Sequence, residues 1–244
     1  MKFSSKKIDC LKYSESSMRK HPFTVIEYIF NYQDEEDKTF LDNCIDDAKE
    51  LSNAVNPKSA NLSTYSRSST QVFMNSIAGI LAEKLWIHFL NKVNIIAEST
   101  IYDDPNNQID IKIVKTNKTM EIRSSFPFKG LEFALCHPKY QFDVIGPYVN
   151  EYKPNEIKKD FYGRVLYPFS VDLFYKKLKS NNLEVYLTGG ATWTMMGDRE
   201  ISIKKDFVPQ DIYSLELINK KSEYLVIPFS KSLDMKDIII ELNK

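Results

Sequence analysis

The sequence predicts a mixed α/β domain in which helices flank a mixed β-sheet, and three patterns support this fold class. Residues 70–92 repeat apolar side chains at helical spacing. Residues 108–114 alternate isoleucine with polar side chains, and residues 119–126 form a second strand-like run, so together they predict a hairpin. A predicted helix over residues 171–181 precedes an apolar strand over residues 183–188. Helices and strands alternating in this way are typical of an α/β domain.

The N-terminal part, residues 1–65, is expected to be a helical extension of this domain. An apolar patch at residues 23–30 precedes the acidic run Asp34–Asp37, which is typical of a solvated face. A helix is predicted over residues 38–51. Residues 53–69 are rich in Asn, Ser and Thr and therefore predict a loop.

The expected core, residues 66–190, begins with the helix over residues 70–92, for which Thr70 is the expected cap. This helix is apolar over much of its circumference, which predicts a central buried helix. After the hairpin, further strands are predicted over residues 140–148 and 162–168.

The C-terminal part, residues 191–244, is expected to be a β-rich addition to the same single domain. Strands are predicted over residues 213–218 and 223–228, with a terminal helix after Asp234. The pair Gly189–Gly190 is expected to end a strand, where a backbone without side chains can approach a ligand closely.

The composition is that of an ordinary globular protein and excludes several classes of nucleotide-binding and hydrolytic enzyme. The chain has 244 residues, with 33 Lys and Arg against 33 Asp and Glu, which argues against a generally basic nucleic-acid coat protein. A local basic cleft remains compatible with this balance. The seven glycines form no Walker A, G-x-G-x-x-G or G-x-S-x-G motif, so no nucleotide cofactor is expected.

Cysteine and histidine spacing predicts neither a disulfide framework nor a zinc site. The three cysteines, Cys10, Cys44 and Cys136, are odd in number and far apart, and they form no C-x-x-C motif. The three histidines have no helical metal-ligand spacing. No apolar run reaches the roughly 18 residues of a membrane span. A cytoplasmic protein without a membrane partner is therefore expected.

The hairpin concentrates charged side chains on one face. If its turn is centred on residues 116–117, Asp110 lies opposite Arg123 and Lys112 lies opposite Glu121. One interpretation is a pair of solvated cross-strand ion pairs, each contributing roughly 0.2–1 kcal/mol. The other interpretation is a metal site on the same face.

The metal interpretation rests on the two carboxylates of the hairpin. Asp110 and Glu121 are diagonal neighbours in the predicted register, with Cβ atoms roughly 5–8 Å apart. Mg²⁺ binds through few protein oxygens and keeps waters for a phosphate substrate. The metal would polarise the phosphate and activate the attacking water, while a cation on the same face stabilises the developing charge.

These residues resemble the motif of the PD-(D/E)xK nuclease superfamily, which includes many restriction endonucleases. Asp110 stands on the first hairpin strand and the triplet Glu121-Ile122-Arg123 on the second. The family often adds a glutamate from the helix before the hairpin, a position that Glu83 matches. The resemblance therefore implies that Glu83, Asp110 and Glu121 are metal ligands, and that all three are catalytic together with Arg123 and Lys112.

The resemblance covers about half of the chain and implies a restriction-endonuclease-like core. The family core runs helix, three-stranded meander, helix, strand. In this sequence, it would consist of the helix over residues 70–92, strands near residues 108, 119 and 140, the helix over residues 171–181 and the strand over residues 183–188. The strand over residues 162–168 has no place in that order.

The sequence departs from the family pattern at two positions. Ile109 replaces the proline before Asp110, and Arg123 occupies the position of the motif lysine. Arginine stays protonated and cannot act as a general base, although it can hold a phosphate with two hydrogen bonds. Three alternatives follow: Arg123 acts only electrostatically, Lys112 or Lys129 supplies the amine, or the site is inactive and the fold only binds.

The resemblance implies a Mg²⁺-dependent DNA endonuclease, with Mn²⁺ as a possible substitute, that cleaves double-stranded DNA in restriction or defence and works as a homodimer. Candidate substrate-binding residues are Ser124, Ser125, Lys129 and Arg67. The alternative is a catalytically inactive protein of the same fold that binds DNA or another protein. A third possibility is a soluble α/β interaction protein whose hairpin charges form only a salt-bridged face.

Overall fold

Two β-sheets organise the fold, and the computed structural model shows them together with the helices that cover them. The structure describes residues 1–10, 22–54, 68–100, 109–149, 156–207 and 222–244. In chain order, the described strands and helices are β1 (Lys2–Ile8), β2 (Phe23–Phe30), α1 (Glu35–Ala54), α2 (Ser69–Lys92), β3 (Ala97–Ser99), β4 (Ile111–Ile113), β5 (Lys118–Ser125), α3 (Leu131–Cys136), β6 (Asp143–Val149), β7 (Phe161–Leu166), α4 (Phe174–Leu178), β8 (Leu183–Thr192), α5 (Trp193–Gly197), β9 (Ile203–Phe207), β10 (Ser222–Pro228) and α6 (Met235–Leu242).

The larger sheet is mixed and has seven strands in the order β1-β2-β8-β7-β5-β4-β3. Only β5 and β7 run parallel to each other, and the other neighbouring strands are antiparallel. The smaller sheet is antiparallel, in the order β6-β10-β9. The predicted mixed sheet with flanking helices is therefore confirmed.

Buried side chains form a hydrophobic core on each face of the larger sheet. Phe161 and Val165 of β7 belong to the core that also contains buried residues of α1, α2 and α6. Tyr162 and Leu166 alternate with them and join the second core, with α3, β6 and β10. The larger sheet is thus covered on both faces.

Helix α2 is the central buried helix that the sequence predicts. Its buried side chains run from Val72 to Leu90, and they pack against the larger sheet. The cap is Ser68 rather than Thr70, because the Ser68 side chain accepts a hydrogen bond from the Gln71 amide and the Gln71 side chain accepts one from the Ser68 amide. This reciprocal pair is a capping box.

The described residues of the N-terminal part form two strands and one helix, whereas the sequence analysis expected a helical extension. The predicted helix over residues 38–51 lies within α1, but residues 2–8 and 23–30 are the strands β1 and β2 of the larger sheet. The apolar patch in β2 buries residues on both faces, since Val25 belongs to one core and Ile26 to the other. A strand buried on both faces shows little alternation, so its pattern does not distinguish it from a helix.

The chain order through the middle of the protein differs from the predicted core. Three antiparallel strands follow α2, namely β3, β4 and β5, and after α3 the chain returns in β7, parallel to β5. The strand predicted over residues 140–148 is β6, which belongs to the smaller sheet. The helix predicted over residues 171–181 is a 3₁₀ turn, Val171–Leu173, followed by the short α4.

Gly189 and Gly190 lie inside β8, where other backbone segments of the same chain pack closely against them. Gly189 has a φ of +79°, and a Cβ there would overlap the carbonyl oxygen of Leu233. A Cβ on Gly190 would overlap the carbonyl oxygen of Tyr162. The expectation that these glycines end a strand is therefore wrong, because they allow close packing between chain segments.

A disulfide joins Cys10 to Cys136, although the cysteine spacing predicted no disulfide framework. The two cysteines have a sequence separation of 126, so the local spacing of cysteines did not indicate that they pair. Cys44 is free and buried, and burial raises the pKa of its thiol to about 12. Two of the three cysteines thus link the start of the chain to the end of α3.

The C-terminal part contributes β9 and β10 to the smaller sheet, and α6 confirms the predicted terminal helix. The strand predicted over residues 223–228 is β10, whereas the one predicted over residues 213–218 lies outside the described residues. Asp234 caps α6 by accepting a hydrogen bond from the Asp237 amide. Among the described helices, none has both the length and the apolar character that crossing a membrane requires.

Candidate functional site

The hairpin of β4 and β5 has a register that differs by two residues from the predicted one. Ile111 pairs with Met120 and Ile113 with Lys118, so residues 114–117 form the connecting loop. Asn117 has a φ of +55°, which an asparagine adopts more readily than most residues. Asp110 therefore does not lie opposite Arg123, and Lys112 faces Thr119 instead of Glu121.

Glu83 and Asp110 lie near enough to each other at the edge of the hairpin for their charges to interact, and we call them the acidic pair. Glu83 projects from α2 and accepts a hydrogen bond of 2.5 Å from the Ser99 hydroxyl at the end of β3. Asp110 directly precedes β4, and its Oδ2 accepts a hydrogen bond of 2.7 Å from the backbone amide of Ile122 in β5. Asp110 thus extends the contact between β4 and β5 beyond the end of the shorter strand.

Burial and the repulsion between the two carboxylates of the acidic pair favour the protonated form of Glu83. Burial raises the pKa of Glu83 to about 7, and the negative charge of Asp110 contributes in the same direction. The hydrogen bond from Ser99 and the charge of Lys84 act in the opposite direction but are outweighed. Such a pair favours a bound proton or cation, because either one relieves the repulsion between the carboxylates.

A second group of charged side chains lies on the face of β5 opposite α2, and we call it the ion cluster: Glu121, Arg123, Glu156 and Lys159. Arg123 Nη2 makes an ion pair with Glu121 Oε1, and it lies 3.1 Å from Glu156 Oε1. Lys159 Nζ lies 3.5 Å from Glu121 Oε2 and 3.9 Å from Glu156 Oε1. Each cation thus contacts both carboxylates.

Three of the four charged side chains of the ion cluster are buried, and Arg123 is 23% exposed. The side chains of Glu156 and Lys159 are only 2% and 1% exposed. Two positive charges balance two negative charges, which is what makes their removal from water tolerable. Tyr162 Oη accepts a hydrogen bond of 3.1 Å from the Lys159 amide, and burial raises the pKa of this phenol well above its usual value.

Arg164 lies next to the ion cluster, directly beside Arg123 in the parallel pairing of β5 and β7. Its Nε donates to the carbonyl oxygen of Asp143 at 2.9 Å, and its Nη2 donates to Ser125 Oγ at 2.8 Å. Burial lowers the pKa of the Arg164 guanidinium to about 10, and the like charge of Arg123 contributes in the same direction. Arg123 and Arg164 therefore place two positive charges next to each other near the C-terminal end of β5.

The acidic pair and the ion cluster approach the same stretch of β5. The Ile122 amide that donates to Asp110 directly follows Glu121, which belongs to the ion cluster. Of the predicted site residues, the structure therefore places Glu83 near Asp110, and Glu121 beside Arg123. The two groups meet β5 at neighbouring residues. Among the described residues, no three His, Cys, Asp or Glu side chains form a group that could hold a metal ion.

The remaining predicted site residues lie apart from these two groups or have other partners. Lys112 is half-buried and is paired in register with Glu98 of β3 and Thr119 of β5. Ser125 accepts the hydrogen bond from Arg164, and Ser124 lies level with Val165 of β7. The Lys129 ammonium lies over aromatic rings near α3. Arg67 lies outside the described residues.

Sequence reasoning missed Glu156, Lys159 and Arg164. In the sequence, Lys159 is adjacent to Lys158, and a pair of lysines is common on protein surfaces. The parallel pairing of Met120 with Phe161 brings the start of β7 level with Glu121, and no local pattern shows which distant strand pairs with β5. The buried Arg164 within the otherwise apolar β7 is the one sequence signal that could have indicated a polar site.

The donor chemistry of the acidic pair fits a hard divalent cation better than that of the ion cluster does. Glu83 and Asp110 offer carboxylate oxygens, and Mg²⁺ is commonly held by one or two carboxylates together with waters. The Glu121 oxygens, by contrast, face Arg123 and Lys159. Glu121 could reach a metal only by giving up an ion pair, which leaves the acidic pair as the fitting donor set.

Comparisons with known proteins reveal a relative whose function is not assigned. No family model matches the chain, and no solved structure matches it. An uncharacterized protein of Methanocaldococcus jannaschii is 27% identical over 250 aligned positions, which span 85% of this chain and 83% of that protein. The similarity extends over most of both chains.

Proposed function

We propose that this protein is a Mg²⁺-dependent endonuclease that hydrolyses phosphodiester bonds of double-stranded DNA. The observation that carries the proposal is the acidic pair, in which Glu83 and Asp110 come together from α2 and from the start of β4. A role in restriction or in defence against foreign DNA, with two copies acting together, belongs to the same proposal.

The chain order around the acidic pair supports a restriction-endonuclease-like core. Helix α2, the antiparallel strands β3–β5, helix α3 and β7, which runs parallel to β5, come in the order helix, meander, helix and strand, with β6 of the smaller sheet inserted between α3 and β7. With β6 set aside, this order resembles that of the PD-(D/E)xK core, and α3 and β7 take the places that the sequence analysis gave to residues 171–181 and 183–188. Glu83, Asp110 and Glu121 stand on its first helix, before its second strand and on its third strand.

In this proposal, Glu83 and Asp110 hold the metal, and Mn²⁺ is able to replace Mg²⁺. The bound ion supplies polarisation of the scissile phosphate and activation of a water. Protonation of Glu83 competes with metal binding, because a protonated carboxyl is a poor ligand and burial raises the pKa of this group to about 7. Cleavage is therefore expected to increase from about pH 6 to about pH 8 as Glu83 ionises.

The ion cluster supplies the positive charge that the family pattern assigns to a lysine. Arg123 occupies the motif position, while Lys159 provides an ammonium 3.5 Å from Glu121 Oε2. A lysine amine can also transfer a proton, which a guanidinium does not do. We therefore assign the lysine role to Lys159, whereas the sequence offered only Lys112 and Lys129.

The decisive experiment is cleavage of supercoiled plasmid DNA by the purified protein with Mg²⁺, with Mn²⁺ and with excess EDTA. We expect cleavage with either metal and none in EDTA. Asp110→Asn and Glu83→Gln should each abolish cleavage, whereas Glu98→Gln, an exposed carboxylate on the neighbouring β3, should cleave like the wild type. Cleavage in EDTA, or normal cleavage by Asp110→Asn, would contradict the assignment.

A catalytically inactive binding protein of the same fold is the second candidate, and the ion cluster favours it. Its four charges neutralise one another in a buried position, so the cluster can be purely structural. This function predicts DNA binding that is the same with Mg²⁺ and with EDTA, and no cleavage under any condition. Electrophoretic mobility shifts beside the plasmid assay distinguish the two candidates.

A further inference from the structure

A surface of aromatic rings and lysines surrounds α3 and has no part in the proposed cleavage. Helix α3 buries Leu131, Ala134 and Leu135 in the second core, so its other side faces outward. The exposed carboxylate of Glu132 also lies on this outward side. We call the rings and cations of this side and of the loops that flank α3 the ring surface: Phe128, Lys129, Phe133, His137, Lys139 and Tyr140.

Two rings of the ring surface are highly exposed. Phe128 is 73% exposed and Tyr140 is 57% exposed, although both are large and mainly apolar side chains. Phe133 and His137 are half-buried between them and link the two ends of the surface. Their ring centroids lie 4.7 Å apart, and the His137 and Tyr140 centroids lie 4.9 Å apart.

Each end of the ring surface carries a lysine. The Lys129 ammonium lies 4.9 Å from the ring centroid of Phe133 and 5.8 Å from that of Phe128. The Lys139 ammonium lies 5.3 Å from the ring centroid of Tyr140. Cations held beside exposed rings are suited to a partner that is both flat and negatively charged.

The part of the ring surface that follows α3 is held in place before any partner binds. His137 Nδ1 accepts hydrogen bonds from the backbone amides of Lys139 at 3.2 Å and Tyr140 at 3.0 Å, which fixes the imidazole and the turn after α3. The disulfide of Cys136 anchors the adjacent residue. A surface that is already ordered loses little conformational entropy on binding.

We propose that the ring surface binds an unpaired strand of nucleic acid, with bases stacking on Phe128 and Tyr140 and with phosphates facing Lys129 and Lys139. A base pair within a duplex hides its faces, whereas an unpaired base exposes them for stacking on aromatic side chains. The charge complementarity between lysines and phosphates favours nucleic acid over an apolar protein segment. Binding here does not require a metal, so the inference goes beyond the proposed cleavage.

The test is fluorescence anisotropy with a fluorescein-labelled oligothymidylate of about 20 nucleotides, a length that covers a typical single-strand site, measured in EDTA so that cleavage plays no part. We expect binding that weakens with salt, and a loss of about 5–100-fold in affinity for Phe128→Ala and for Tyr140→Ala, the range that stacking on one base spans. Tyr175→Ala, which removes another exposed ring, should bind like the wild type.

A second oligonucleotide separates stacking from attraction to phosphate alone. An abasic strand of the same length should bind the wild type weakly, and should bind Phe128→Ala equally weakly. Asp110→Asn should bind oligothymidylate normally even if it does not cleave DNA, so the two proposals can fail separately. Equal affinity of wild type and both ring variants for oligothymidylate, or ring-dependent self-association in sedimentation without any such binding, would overturn the inference.

Discussion

Lys158 and Lys159 are neighbours in the chain with opposite environments, which makes them a matched pair for testing the ion cluster. Lys159 is buried beside Glu121 and Glu156, while Lys158 is exposed and lies 4.8 Å from the ring centroid of Trp193. Removal of one partner from a buried group of ions leaves the others uncompensated. The two lysines should therefore differ strongly in their effect on stability.

We expect Lys159→Ala to lower the free energy of unfolding by about 3–5 kcal/mol, because it leaves two buried carboxylates with Arg123, which is partly exposed, as the remaining cation of the ion cluster. Lys158→Ala should cost at most about 1 kcal/mol, the strength of an exposed cation–π contact. Urea denaturation followed by circular dichroism measures both values. Equal stability of the two variants would contradict the buried ion cluster.

The acidic pair makes stability depend on pH. The pKa of Glu83 rises from 4.5 to about 7 on folding, so the folded state binds more protons than the unfolded state between these pH values. The free energy of unfolding should therefore fall as the pH rises through this window. Glu83→Gln cannot ionise and should lack this part of the fall.

The measurement is urea denaturation of wild type and Glu83→Gln at intervals of about one pH unit between about pH 4.5 and about pH 7.5, the window in which the linkage operates. We expect the stability difference between them to change by about 1–3 kcal/mol in favour of Glu83→Gln as pH rises, with partial exposure of Glu83 reducing the effect. Added Mg²⁺ should reduce that change if the acidic pair binds it. A constant difference across this range would show that Glu83 titrates normally.

At the residue scale, part of the candidate site could be named from the sequence. Glu83, Asp110, Glu121 and Arg123 were named because they resemble a family motif that is local to one helix and one hairpin. Lys159 enters through the parallel pairing of β5 with β7, which depends on the arrangement of distant segments.

At the element scale, the hairpin shows why an error in the predicted strand register can still leave each side chain assigned to the correct face of the sheet. The true pairing of Ile111 with Met120 differs from the predicted one by two residues, and side chains alternate with a period of two. Lys112, Glu121 and Arg123 therefore share a face in either register. The opposing pairs were wrong because the loop begins at Val114, before the predicted turn.

Close packing between α2 and β7 depends on Gly163. A Cβ at this position would lie 2.5 Å from Met120 Cε and 2.6 Å from Ile122 Cδ1, with the Trp86 ring at 3.2 Å. We expect Gly163→Ala to lower the free energy of unfolding by about 1–3 kcal/mol, because three buried side chains must move.

The matched control for Gly163 is Gly79, which lies within α2 and is exposed. A Cβ added to Gly79 would meet no neighbouring atom within 4 Å. Gly79→Ala should therefore raise stability by about 0.5–1 kcal/mol, since alanine favours the helix. Thermal and urea denaturation of both variants test the pair. Stabilisation by Gly163→Ala would show that β7 and α2 are less closely packed than the structure indicates.

At the scale of the whole molecule, the class of fold was predictable but the membership of its sheets was not. The larger sheet takes β1 and β2 from the N-terminal part and β8 from the end of the expected core. The strand expected to complete the meander belongs instead to the smaller sheet as β6. Which strands share a sheet is decided by long-range contacts, whereas hydrophobic periodicity reports only local structure.

The disulfide is the long-range contact with the largest expected effect on stability. It closes a loop across a sequence separation of 126, and a crosslink of this length restricts the unfolded chain strongly. We expect the double variant Cys10→Ser with Cys136→Ser to lose about 2–5 kcal/mol of unfolding free energy. Dithiothreitol should destabilise the wild type and Cys44→Ala, and it should leave the double variant unchanged.

The same disulfide gives the protein a covalent topology that the linear sequence lacks. Its bond turns the chain from Cys10 to Cys136 into a closed ring, and Glu83, Asp110 and Glu121 all lie within that ring. A single cut of the backbone anywhere inside the ring opens it without dividing the molecule. A protease that cuts once there should produce two bands on a denaturing gel only after reduction, and a single full-mass species before it.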